Sequence, residues 1–243
     1  MKYFGRRFFT VLALCGLSLT TMAQNVQQDL RELKEWKAGS EVHVKAVEQY
    51  GIDKCFVSEK ISDGVMARMK NHSYPSHCTI SRNDLRYIRV LHYDGEGKVR
   101  IGELVCNKMI AADLLAIFRE LYRQRYAIQQ MRLIDDYDAD DERSMRANNT
   151  SSFCYRVVKG SKKLSYHAQG RAIDINPLYN PCYKVRNGKA VVQPSNALRY
   201  CDRKAYFAYK IDRQDLLYKL FIQHGFRWGG AWKHSKDYQH FEK

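Results

Sequence analysis

Three residues of types that commonly bind metal ions lie in two short segments of the C-terminal third of the chain. His167 and Asp174 are seven residues apart in LSYHAQGRAIDINP, and His240 lies in DYQHFEK. A catalytic zinc ion commonly takes three protein ligands from histidine and carboxylate side chains and leaves a fourth position for water. These three residues could therefore supply one zinc site, although other divalent ions accept the same donors.

The spacing of His167 and Asp174 is weak support by itself, because an exposed loop histidine and a salt-bridged aspartate would show it too. Gly170 lies between them and permits a bend from a loop into a predicted strand, AIDI. In a regular strand Asp174 points away from the face that holds its apolar neighbours Ile173 and Ile175. A carboxylate in that position needs a partner, and a metal ion is one candidate.

The two segments together resemble the M15 family of zinc D-alanyl-D-alanine peptidases, especially its members with D-x-x-H-F-E near the C-terminus. The first segment fits S-x-H-x-x-G-x-A-x-D at every fixed position, and the second block is GFRWGGAWKHSKDYQHFE. The matched residues are Ser165, His167, Gly170, Ala172 and Asp174, followed by Trp228, Gly229, Gly230, Trp232, Asp237, His240, Phe241 and Glu242. Two separate motifs in the right order make the resemblance specific.

The resemblance implies that His167, Asp174 and His240 bind one Zn²⁺ ion and that Asp237 is the general base. Zinc lowers the pKa of its bound water, and a nearby carboxylate can take the proton as the water attacks a carbonyl. Asp237 precedes His240 by three residues, so a turn can place it beside the metal without making it a ligand. Many members of the wider family have glutamate here, and aspartate is shorter.

Four further residues are candidates with an alternative reading each. The resemblance implies that Arg156 stabilises the oxyanion, although a surface arginine fits the sequence nearly as well. Ser165 either hydrogen-bonds a ligand or the substrate, or shapes the loop. Trp228 and Trp232 either line the substrate cleft or belong to the core, where large aromatic side chains are common.

The elements that must position these residues are helices mixed with hairpin-linked strands, which favours an α+β fold. An antiparallel hairpin is predicted for LRYIRVLHY and VRIGELVC, and an amphipathic helix for AADLLAIFRELYRQRY. A polar helix with Leu30, Leu33 and Trp36 on one face is predicted for VQQDLRELKEWKAG. Strands are predicted for AIQQMRLIDDY, SFCYRVV and RAIDIN. A polar loop is predicted for DADDERSMRANNTS, and an irregular segment for residues 177–204. DRQDLLYKLFIQHG predicts a helix from an N-cap at Asp212 to a stop at Gly225.

We predict three regions: a signal peptide at 1–23, an N-terminal extension at 24–84 and an M15-like zinc peptidase domain at 85–243. The first 23 residues hold Lys2, Arg6 and Arg7, then an apolar run, then Ala23, which is typical of a secretory signal. A membrane anchor is the alternative, but the run falls short of the ~20 apolar residues that span a bilayer. The sequence argues against lipid attachment at Cys15, because bulky Leu14 stands where a small residue is required. The resemblance implies a central antiparallel sheet with flanking helices, as in hedgehog and D-Ala-D-Ala peptidase domains.

Removal of the signal leaves six cysteines, and an even set in an exported protein predicts disulfides. They are Cys55, Cys78, Cys106, Cys154, Cys182 and Cys201. Six cysteines allow 15 pairings, and the sequence does not choose among them, although Cys182 and Cys201 bracket one loop-like segment.

The net charge of +15 favours encounters with polyanions, and in an exported protein an acidic wall polymer is a better match than nucleic acid.

We therefore expect an exported zinc metallopeptidase, periplasmic or extracellular in a bacterium, that cuts peptidoglycan stem peptides as a carboxypeptidase or an endopeptidase. No membrane span is expected after signal removal. The alternatives are a zinc-binding module without catalysis and a basic secreted nucleic-acid protein; the intact Asp237 argues against the first, and the second lacks a recognisable motif.

Overall fold

The computed structural model describes residues 24–158, 161–186 and 188–243. The predicted signal peptide lies outside these residues. Helix α1 covers residues 24–35, and Leu30, Leu33 and Trp36 are buried, as the sequence predicts. No helix in the described part of the chain is both long and apolar enough to cross a bilayer.

A four-stranded antiparallel sheet forms around the predicted hairpin, which is confirmed. Strands β3 (Leu85–Tyr93) and β4 (Val99–Asn107) pair from Leu85 opposite Asn107 to Tyr93 opposite Val99. Strand β1 (Glu41–Val42) pairs with β4 and β2 (Val57–Lys60) with β3, so the order is β1-β4-β3-β2. Residues 24–84 therefore supply both outer strands of this sheet.

Helix α4 (Lys108–Arg123) follows β4 directly, and the predicted amphipathic helix is confirmed. The Oδ1 atom of Asn107 accepts a hydrogen bond from the backbone of Met109 and caps the helix. Its apolar residues recur at helical spacing and face the sheet. The buried residues of α4 are Ile110, Ala111, Leu114, Ile117, Phe118 and Leu121.

The N-terminal region is joined to the core by apolar and charged contacts. It also contains helices α2 (Val44–Tyr50) and α3 (Asp63–Met69). Arg68 of α3 donates hydrogen bonds of 2.9 and 2.6 Å to the fully buried Glu103 of β4 and one of 3.1 Å to Asp136. A buried carboxylate is tolerated only when it is paired in this way. The network therefore fixes the chain near Asp136 against the sheet.

Three smaller sheets complete the fold. Strands β5 (Gln130–Met131) and β6 (Asn149–Thr150) are parallel. The second sheet has the order β10-β12-β7, with β7 at Ala172–Asp174, β10 at Arg227–Trp228 and β12 at His240–Glu242. The third has the order β11-β8-β9, with β8 at Cys182–Arg186, β9 at Lys189–Gln193 and β11 at Lys236–Asp237. Helices mixed with several antiparallel sheets agree with the predicted α+β class.

Several predicted elements are wrong or shorter than expected. AIQQMRLIDDY forms only the two-residue β5 before a 3-10 helix at Ile134–Tyr137. The predicted polar loop holds helix α5 (Asp141–Arg146), because Asp140 caps it by accepting a hydrogen bond from the backbone of Arg143. SFCYRVV forms no strand and has a single isolated bridge, between Val157 and Leu164, and the segment predicted as irregular contains the β8–β9 hairpin.

The last predicted helix is confirmed but begins later than expected. Helix α6 spans Leu216–Gln223, and its cap is Asp215, whose Oδ1 accepts hydrogen bonds from the backbones of Leu217 and Tyr218. The predicted cap, Asp212, instead accepts from the backbone of Gln214. Gly225 follows the helix with φ of +81°, as its predicted stop requires.

The disulfide prediction is wrong, because all six cysteines among the described residues are free thiols. Cys55, Cys106 and Cys154 are buried, where a cysteine packs as a small apolar side chain. Burial raises the pKa of the Cys55 thiol to about 11. Cys182 and Cys201 do not bracket a stapled loop, since Cys182 lies inside β8 and Cys201 ends a separate 3-10 helix.

Gly170 fastens the segment that carries His167 to the end of β4. Its carbonyl accepts a hydrogen bond of 2.7 Å from the backbone of Asn107. A Cβ atom at Gly170 would lie 2.6 Å from the same nitrogen, and its φ is +66°. The position therefore requires glycine both for its conformation and for the close approach of two backbones.

We expect Gly170→Ala to destabilise the protein more than Gly97→Ala does. Gly97 has φ of +75° with nothing within 4 Å of a built Cβ, so alanine there costs only the left-handed conformation, about 1–2 kcal/mol. Alanine at Gly170 adds a collision with backbone that cannot rotate away, about 1–3 kcal/mol more. Guanidinium unfolding of the two variants measures this difference, and equal losses would contradict the packing role of Gly170.

Candidate active site

The pairing of β7 with β12 places Asp174 directly opposite His240. The two strands are antiparallel, and the Cα partners are Asp174 and His240, Ile173 and Phe241, and Ala172 and Glu242. Directly opposite side chains on one face of a strand pair lie close enough to interact. The Asp174 Oδ1 atom is 3.0 Å from His240 Nδ1.

His167 reaches the same point from a turn that precedes β7. Its Nε2 atom lies 3.1 Å from His240 Nδ1 and 3.3 Å from Asp174 Oδ1. One potential ligand atom from each residue falls within 4.8 Å of the other two. The structure thus brings together the three residues predicted to bind zinc, and their role as ligands stays a prediction.

Ser165 shapes the turn that carries His167. Its Oγ accepts a hydrogen bond of 3.0 Å from the backbone of Ala168, and its own backbone N–H donates to the carbonyl of Arg156. Ser165 also lines the cleft around the site. Its visible contacts correspond to the loop-shaping alternative of the two that the sequence allows.

The outer nitrogens of both imidazoles are held by acceptors. His167 Nδ1 is 2.7 Å from the Ser152 carbonyl oxygen, and His240 Nε2 is 3.2 Å from Glu242 Oε2. Metal-binding histidines almost always donate their other ring N–H to a carbonyl or carboxylate, which fixes the tautomer and the ring orientation. The residues therefore fit a zinc ion, because the nitrogens left over face one another and Asp174.

Charge in the cluster also favours a cation. Burial by itself would raise the pKa of Asp174, but the two imidazoles outweigh burial and hold this pKa well below its usual range. Burial would lower the pKa of His240, but its hydrogen bonds to Asp174 and Glu242 raise it to about 10. The carboxylates of Asp174 and Glu242 therefore favour a positive charge between the two imidazoles, which either a proton or a divalent ion can supply.

Asp237 lies beside the cluster on a different sheet. It belongs to β11, which pairs with β8, and its Cα partner is Cys182. Burial raises the pKa of Asp237 to about 6, assisted by the negative charge of Asp174 and opposed by the two histidines. Its Oδ1 atom is buried without a hydrogen-bond partner among the described residues. A carboxyl group with a pKa near neutrality can both accept and donate a proton.

Gly229 allows the chain to pass close to Asp237. A Cβ atom at this position would lie 2.7 Å from the Asp237 carbonyl oxygen and 2.9 Å from the Asp237 Cβ. The 3-10 turn Gly229–Ala231 packs against β11 through this gap. The second motif thus needs this glycine to hold Asp237 and His240 in place.

A cleft of about 890 Å³ opens onto the cluster. Residues of α5 form one wall, and the six polar or charged residues described above also line the cleft: Ser165, His167, Asp174, Asp237, His240 and Glu242. Arg156 lies in the cleft and pairs with Asp141 of α5. The cleft therefore holds a cation as well as the predicted general base.

The two predicted tryptophans occupy different environments. Trp232 lines the cleft, and its ring centroid is 5.3 Å from that of His240. Trp228 is 7% exposed and packs in the core against Tyr218 and Phe241. Of the two alternatives left open by the sequence, Trp232 takes the cleft and Trp228 the core.

Sequence reasoning assigned no role to three residues that hold the site, although it matched one of them, Glu242, to the second motif. Glu242 lies two residues after His240, and strand alternation places both side chains on one face, so this signal was available. Ser152 acts through its carbonyl, which leaves no signal in the side chains. Asp141 is concealed in the acidic run DADDE, where nothing distinguishes it from its neighbours.

Comparison with known proteins gives one match. A family model described as D-alanyl-D-alanine carboxypeptidase, of the M15 peptidases, matches residues 159–243. No curated protein and no solved structure matches the chain significantly. The matched segment contains His167, Asp174, Asp237 and His240, and the match supports a peptidase, a hydrolase of peptide bonds.

We expect Glu242→Ala to lower the affinity for zinc by about 10–100-fold, because His240 loses the acceptor that orients its ring. Glu242→Gln should lose less, since its amide oxygen can still accept the hydrogen bond from Nε2. Glu59→Ala is the control, because Glu59 of β2 pairs with Arg89 of β3 and neither residue lines the cleft. Competition with a chelating dye measures the affinities, and equal values for all variants would contradict this role.

Proposed function

We propose that the chain is an exported zinc metallopeptidase of the M15 family that acts on peptidoglycan stem peptides, because residues 159–243 match the family model of D-alanyl-D-alanine carboxypeptidases. The observation that carries the proposal is the convergence of His167, Asp174 and His240 within 4.8 Å, with Asp237 beside them in one cleft. Three ligands and a separate carboxylate are the components that metal-assisted hydrolysis needs.

His167, Asp174 and His240 would hold the zinc ion. When bound, zinc supplies a Lewis acid and lowers the pKa of a coordinated water molecule. The Ser152 carbonyl and Glu242 keep the two imidazoles oriented for this task. The arrangement leaves His167 Nε2 and His240 Nδ1, which face one another, to bind the metal ion.

Asp237 moves the proton. Its carboxylate accepts a proton from the attacking water and returns it to the nitrogen of the leaving amine. Burial, which raises the pKa of Asp237 to about 6, suits both steps, because the group is ionised at neutral pH yet basic enough to take the proton. Its unpartnered Oδ1 is free to make the hydrogen bond to water.

Arg156 supplies positive charge for the oxyanion. The side chain is held in the cleft by Asp141 and is about one third exposed, at 34%. Preorganised cations near a developing oxyanion stabilise it more than water does, because they need no reorientation. In this proposal Arg156 acts on the carbonyl oxygen of the scissile bond and Asp237 carries the proton to the leaving amine; both residues line the same cleft.

The substrate class follows from the family and from charge. The family supports peptidoglycan peptides that contain D-alanine, and the chain's net charge of +15 favours encounter with an acidic wall polymer. A cleft of about 890 Å³ is large enough for several residues of a peptide. The site is compatible with removal of a terminal D-alanine and also with cleavage within the stem peptide. We also propose that the predicted signal peptide directs secretion of the protein and that its sheet has the arrangement found in hedgehog domains.

We expect Asp237→Asn to reduce kcat by about 10²–10⁴-fold on purified muropeptides, the range that general acid–base catalysis contributes. The isosteric amide cannot take the proton. For the wild type, kcat/KM should fall as the pH drops through the pKa of Asp237. That pKa lies at or below about 6, because a bound cation lowers it further.

Mass spectrometry of the products, with zinc content measured for each protein, provides the readout. Asp53→Asn is the control, because Asp53 is exposed and pairs with Arg119 outside the cleft. Full activity of zinc-loaded Asp237→Asn would contradict the assigned base. Zinc binding by the wild type without cleavage would indicate a non-catalytic zinc-binding module instead.

A further inference from the structure

Gln239 carries a buried polar group that the proposed reaction does not use. The residue is 1% exposed and lies in the wall of the cleft, between Asp237 and His240 in the chain. Its Oε1 atom is buried without a hydrogen-bond partner among the described residues. Buried polar atoms are nearly always paired, so an unpaired one needs a specific explanation.

The backbone on both sides of Gln239 is fixed. Its carbonyl accepts a hydrogen bond of 3.1 Å from Ile175, and the N–H of Tyr238 donates to the carbonyl of Pro181. These contacts tie the segment to the chain that follows β7 and to the chain that precedes β8. The carboxamide therefore cannot reach a partner by a shift of its backbone without disturbing Asp237 and His240.

An apolar side chain of the same size would serve a purely structural role better. An amide that loses its water on burial and gains no partner is destabilising, whereas a methionine at the same place would lose nothing. Two unpaired acceptor oxygens, Gln239 Oε1 and Asp237 Oδ1, occur on one three-residue segment in one cleft. Two such acceptors together indicate a site that receives hydrogen-bond donors.

We propose that Gln239 is a substrate-positioning residue, whose carboxamide oxygen accepts a hydrogen bond from a backbone N–H of the bound peptide. This inference rests on the proposed function and adds a specificity element to it. A peptide carries an N–H at every residue other than proline, and a carboxamide in the wall of the cleft that also holds the predicted ligand His240 would keep the peptide near the scissile bond. The interaction is present in the ground state and the transition state alike.

The test compares Gln239→Met with Gln223→Met. Methionine has nearly the length and volume of glutamine but cannot accept the hydrogen bond, and Gln223 is an exposed residue at the end of α6. For Gln239→Met we expect full zinc content, an unfolding midpoint equal to or above that of wild type, and KM raised about tenfold with little change in kcat, since uniform binding is lost. Gln223→Met should match wild type in every respect.

Three results separate the possible outcomes. If the wild type cleaves muropeptides and Gln239→Met has an unchanged KM, or a lowered unfolding midpoint, Gln239 is not a positioning residue. If the wild type binds muropeptides without cleaving them, calorimetry decides: weaker binding by Gln239→Met supports the positioning role although the proposed activity fails, and equal binding overturns it. If the wild type does not bind muropeptides, both proposals fail.

Discussion

The pairing of β7 with β12 is the interaction on which the site depends. It sets Asp174 opposite His240, and a shift of one residue would turn one of these side chains to the other face of the sheet. The same register places Phe241 and Ile173 in the core, where both are fully buried. Burial of the apolar pair thus specifies the register that aligns the polar pair, and the site is as firmly determined as the core beneath it.

Around this pair, each remaining group is held by a different part of the fold. His167 depends on the turn that Gly170 fastens to the end of β4, and Asp237 depends on the separate sheet formed with β8. Arg156 depends on Asp141 at the start of α5. The cleft therefore lies where these units meet, and it depends on the end of β4 and on α5 as well as on residues 159–243, which the family model matches.

The sequence predicted the parts whose pattern is local. The β3–β4 hairpin and helix α4 follow from alternation and helical periodicity, and the three candidate ligands follow from residue type together with the resemblance to M15 peptidases. The β8–β9 hairpin was missed because its prolines and glycine suggested an irregular segment, and α5 because its cap lies in an acidic run. The disulfides were inferred from an even number of cysteines, whereas the fold buries three of these thiols as apolar side chains. Partners that act through a backbone carbonyl, as Ser152 does, leave no pattern to read.

The central claim is that His167, Asp174 and His240 form one zinc site. The most direct measurement is a crystal structure of the zinc-loaded protein with anomalous diffraction recorded on both sides of the zinc absorption edge. We expect one strong anomalous peak in contact with all three side chains, with the outer nitrogens of the histidines still on Ser152 and Glu242. Absence of zinc from this cluster in crystals grown with the metal, or a zinc ion bound only elsewhere, would contradict the account.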